Sequence, residues 1–99
     1  MLEQIDIRDG GDGYVHYRYR DDRNGITFSV RVEHEADRFL LDEVAKEKLR
    51  QPGISTWSYV LRFVNERMGE GWRPVPSGSV VFTKSVAESL VGVKRQGGN

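Results

Sequence analysis

The chain contains no cysteine, which removes disulfides, thiolate nucleophiles and cysteine-ligated zinc together. It also lacks a net charge. Fifteen Lys and Arg against fifteen Asp and Glu speak against a protein that coats nucleic acid with bulk positive charge, and equally against an acidic DNA mimic. Any charge preference must therefore be local. No apolar run approaches the ~20 residues of a membrane span, and Met1-Leu2-Glu3-Gln4 has neither a basic nor an apolar signal region. A cytoplasmic protein without membrane association is the expectation.

Catalytic signatures are missing too. No serine sits in a Gly-x-Ser-x-Gly elbow, no Gly-rich phosphate loop carries a lysine, and no dinucleotide fingerprint follows a strand. Asp9 and Asp12 flank glycines, but the ligand spacing of a calcium loop is absent, so a turn is expected there. His16 and His34 are the only histidines, and a strand register that separates them leaves no metal site. The expectation is a non-catalytic protein with no cofactor.

What remains is a hairpin signal. Asn24-Gly25 separates two alternating stretches, and a two-residue type I′ turn there pairs Arg23 with Ile26, Tyr19 with Val30 and Tyr17 with Val32. Val15, Tyr17, Tyr19, Phe28, Val30 and Val32 then share a core face, with Asp21 and Asp22 as solvated tip charges. Arg20 faces Ser29, Arg18 faces Arg31 and His16 faces Glu33 on the other side, with Tyr14 beyond. Arg18 opposite Arg31 would cost roughly 0.2–1 kcal/mol unless an acidic neighbour compensates.

Around the hairpin the pattern predicts an α+β fold. Ile5 and Ile7 mark a short first strand, and Leu41, Val44, Ala45 and Leu49, with Leu40, a helix from about Ala36 to Arg50 capped by Asp37 or Asp42. Trp57, Val60, Leu61, Val64 and Met68 mark a second helix capped by Ser55 or Thr56. Trp72-Arg73-Pro74-Val75 and Ser79–Thr83 read as a second hairpin, and Ser85 with Glu88 opens a short C-terminal helix. The architecture expected is an antiparallel sheet of two hairpins plus a short N-terminal strand, with two helices packed on one face. Residues 1–93 form a single domain and 94–99 a flexible tail.

The stretches Tyr14–Leu41 and Val60–Thr83, the latter with Ser77-Gly78-Ser79-Val80-Val81-Phe82-Thr83, resemble small uncharacterised bacterial domains of the YrdB-like type. That resemblance implies a bacterial or phage origin and brings no established chemistry. The candidate binding residues are Tyr14, His16, Arg18, Arg20 and Arg31 on the uncovered strand face. They point first to a protein partner or a second copy of the chain, in an accessory or regulatory role such as inhibition of a host complex. The alternative is nucleic acid, with the aromatic ring and guanidinium groups against bases and phosphates.

Overall fold

The computed structural model describes residues 1–97, with side chains to residue 92. Four strands and three helices follow in the order β1 (Leu2–Asp9), β2 (Tyr14–Asp21), β3 (Thr27–Glu33), α1 (His34–Glu47), α2 (Thr56–Gly69), β4 (Gly78–Phe82) and α3 (Lys84–Gly97). The strands form one sheet in the order β1-β2-β3-β4. The α+β class expected from the sequence is the class observed. The tail expected over 94–99 runs out of the described residues, and α3 is assigned as far as Gly97.

The second hairpin is replaced by something else. β1, β2 and β3 run antiparallel, but β4 lies parallel to β3, with Val30 opposite Val80 and Val32 opposite Phe82. A parallel neighbour requires a crossover, and α1 and α2 supply it. Residues 72–75 are not a strand. Pro74 and Pro76 bring no N–H to a ladder, so the segment instead turns through Ser77, at φ 55°, whose N–H donates to Thr27 O at 2.9 Å.

The first hairpin forms with its register moved by two residues. Tyr19 pairs with Phe28, Tyr17 with Val30, Arg18 with Ser29 and His16 with Arg31. The loop therefore holds four residues, 22–25, closed by Asp21 N–H donating to Ile26 O at 2.8 Å. Only Gly25 takes positive φ, at 73°, where a type I′ turn would need it at Asn24 as well. Asp21 explains the wider loop. Its Oδ1 accepts from Arg23 N at 3.0 Å and from Arg23 Nε at 3.2 Å, so a residue expected as a solvated tip charge is 2% exposed. The guanidinium holds its carboxyl below the usual range. A two-residue shift leaves every side chain on the face that alternation gave it.

That core face is sealed by the helices. Tyr17, Tyr19, Val30 and Val32 pack with Leu40 of α1, Val60, Phe63 and Val64 of α2, and Ala87 and Leu90 of α3. Trp57 stands edge-on to both Tyr17 and Tyr19 at 5.1 Å, and Phe63 meets Phe82 at 4.7 Å. Ser58 Oγ accepts from Ser55 N at 3.2 Å at the start of α2.

The α1 stripe differs from expectation. Ala36, Leu40 and Val44 face the sheet, whereas Leu41 is half exposed and Leu49 lies beyond the helix. The helix is phased by its start directly after β3, with no capping side chain. Asp37 instead accepts from Tyr17 OH at 2.6 Å. At α3, Thr83 Oγ1 accepts from Val86 N, and Glu33 Oε1 accepts from Lys84 N at 2.9 Å, so Thr83 caps the helix where Ser85 was expected.

Candidate functional site

With all three helices on one side, the other side of the sheet is left open. Alternation along β2 puts Tyr14, His16, Arg18 and Arg20 there, and the ladder adds Ser29 and Arg31 from β3. All five sequence-identified residues thus share one face. The strand that completes it is β1, which contributes Glu3, Asp6 and Arg8 through their pairing with Arg20, Arg18 and His16.

β1 changes the chemistry of the arginines. Asp6 receives Arg18 in a two-point contact, Nε at 2.6 Å and Nη2 at 3.0 Å, and also Arg8 Nε at 3.1 Å. The Arg18 hydrogen bonds hold the Asp6 carboxyl below its ordinary range and raise the guanidinium in return. Arg20 Nη1 lies 3.6 Å from Glu3 Oε2. The repulsion expected between Arg18 and Arg31 does not arise, because the observed register sets Ser29 and His16 opposite them.

His16 also has a different neighbour from the one expected. Its Nε2 lies 3.0 Å from Asp12 Oδ2, while Glu33 is occupied with the α3 terminus. Gly10 makes room for this pair, since a Cβ there would stand 2.5 Å from His16 Nε2. Asp12 Oδ1 also accepts from Tyr14 N, and Asp9 Oδ1 from Gly11 N, both at 3.1 Å, so the turn expected in this stretch is built by its own carboxylates. His34 pairs separately with Asp9, at 3.3 Å. Among the described residues no group of three or more His, Cys, Asp or Glu side chains is arranged to hold a metal ion.

Arg31 differs from its neighbours. Its guanidinium lies over the Tyr14 ring, 5.1 Å from the centroid, and among the described residues it makes no ion pair. Its Nε is buried without a hydrogen-bond partner. The face therefore carries one stacked, uncommitted guanidinium among others already neutralised.

Two shallow hollows border this surface. One of about 210 Å³ is lined by Ile5, Arg18, Ser29 and Gly78, and one of about 400 Å³ by Asp12, Tyr14, Glu33 and His34. Sequence reasoning missed Glu3, Asp6 and Arg8 as parts of the site. Their alternation with Gln4 and Ile7 was the available signal, but a bulge between Gln4 and Asp6 offsets it by one. Among the described residues no helix is long and apolar enough to cross a membrane. No protein-family model, curated protein or solved structure matches this chain.

Proposed function

We propose that this chain is a non-catalytic protein-binding module, an accessory or regulatory domain of a bacterium or its phage, that presents the open sheet face to its partner. The Tyr14–Arg31 stack carries the reading. Aromatic rings and arginines are enriched where proteins bind one another, and the Arg31 guanidinium, held over Tyr14 and engaged in no ion pair among the described residues, would meet a carboxylate or carbonyl of the partner through its terminal nitrogens. Phosphate tracking needs a row of uncommitted cations, and here Arg18 and Arg20 already face Asp6 and Glu3. That balance favours protein over nucleic acid. Inhibition of a host complex is one role such a module would serve, and the cytoplasm is the compartment we assign to it.

The test is affinity capture from the native host lysate with wild type, Tyr14→Ala and Arg31→Glu, each first confirmed as folded by circular dichroism. Both variants are expected to lose the same partner, with affinity reduced tenfold or more. An unchanged partner list would remove the open face from function. Binding of single-stranded RNA or DNA that weakens as salt rises would replace the protein reading with the nucleic-acid one.

A further inference from the structure

β1 is eight residues long and forms one edge of the sheet, so a full row of its backbone groups faces outward. Ile5 and Ile7 are exposed on it, at 42% and 43%. Ile7 pairs with Tyr17 and so faces the helix side, which means that the helical layer leaves this edge uncovered. Natural edges carry charge, and β1 has Glu3, Asp6, Arg8 and Asp9. Such charges discourage pairing with a strand of unmatched sequence.

The ladder fixes which backbone groups point outward. Gly10 N–H donates to Tyr14 O at 3.0 Å and Asp22 N–H to Met1 O at 3.1 Å, so the hydrogen-bonded pairs with β2 fall on Arg8, Asp6 and Glu3. Leu2, Gln4, Ile7 and Asp9 are left with outward N–H and C=O groups. The bulge at Ile5 separates Gln4 from Ile7 by three residues where an even strand has two. A regular strand would lose register on crossing that gap, whereas a second β1 running antiparallel carries the same gap in the same place.

From this geometry we infer that the outer edge of β1 is a self-pairing interface that joins two copies of the chain about a two-fold axis between Ile5 and Asp6. Gln4 then bonds with Ile7 of the second copy, and Leu2 with Asp9. This pairing alone matches outward groups to outward groups and each sheet face to its own kind. It places Glu3 opposite Arg8 of the second copy, twice, in the closer non-hydrogen-bonded positions. The two Ile5 side chains approach on the open face beside the axis. Asp6, which also nears its copy, is already neutralised by Arg18 and Arg8. The charges that would repel a foreign strand complement one another here. The product is a continuous eight-stranded sheet whose two open faces lie side by side.

Sedimentation velocity of the full chain over a concentration series, up to the millimolar range, tests the pairing. Wild type is expected to pass reversibly from monomer to dimer, Glu3→Arg and Arg8→Glu each to weaken dimerisation at least tenfold, and the double exchange to restore most of it. Amide exchange on the wild-type protein avoids any folding defect in the variants, and Gln4 and Ile7 should gain protection as concentration rises. A wild type that stays monomeric, a dimer indifferent to both single exchanges, or Gln4 and Ile7 amides that exchange equally fast at all concentrations would each overturn the interface.

Discussion

The two faces of β2 are built from alternate residues of one octapeptide and hold together by different physics. Val15, Tyr17 and Tyr19 are under 10% exposed and packed in the core with the helices, whereas Tyr14, His16, Arg18 and Arg20 lie on the open side in contacts with β1 and β3. Burial of apolar area stabilises the first set strongly. The second set exchanges water for ion pairs at little net gain. Stability is concentrated on one face, which leaves the other free to vary with a partner.

Adjacent substitutions should expose the contrast. Tyr19→Ala removes a fully buried ring stacked on Phe28 and edge-on to Trp57, and should cost about 3–5 kcal/mol in urea unfolding. A loss below about 1 kcal/mol would mean the core is not packed as described. Removing only hydroxyls sharpens the same comparison within the buried face. Tyr17 OH donates to Asp37 and Tyr19 OH has no partner, so Tyr17→Phe should cost about 1.5–3 kcal/mol while Tyr19→Phe is neutral or stabilising. Equal effects of the two would refute the assignment.

Acid should act next. Asp6 and Asp21 are held below their ordinary value of 3.8 by guanidinium hydrogen bonds, so their contribution is complete above that value and drains away as pH falls through the lower folded values. The melting temperature should be flat with respect to these groups from neutral pH down to about 5, then fall below about 4. A rise on acidification through that lower window would contradict the pairs. Smallest of all is Arg20→Ala, one residue from Tyr19 but on the open face, which should leave the melting temperature unchanged within error.

Much of this molecule was legible before its structure. The helix from Thr56 followed from the spacing of Val60, Val64 and Met68, and both tryptophans pack against the core as apolar anchors. The buried Phe63 escaped notice because it falls beside that stripe. The parallel placement of β4 was hidden, since Val80 and Phe82 alternate alike whichever strand they join. The site was half visible. Arg18, Arg20 and Arg31 come from β2 and β3, while Glu3, Asp6 and Arg8 come from β1, where one bulged residue breaks the alternation.

Local pattern alone assigns each hairpin residue its face, because side chains on a strand alternate with period two and a register slip of two residues preserves that choice. Tyr14, His16, Arg18, Arg20 and Arg31 share the open face for this reason, although the loop at Asn24-Gly25 is wider than the two-residue turn that pair suggests. Tertiary structure decided what each of them touches. The register, shifted by two, set Glu33 opposite Tyr14, where it takes the Lys84 N–H of α3 and not His16, and β1 brought Asp6 to Arg18. These are contacts between segments distant in the chain or a choice among competing partners, and local pattern carries no information about either.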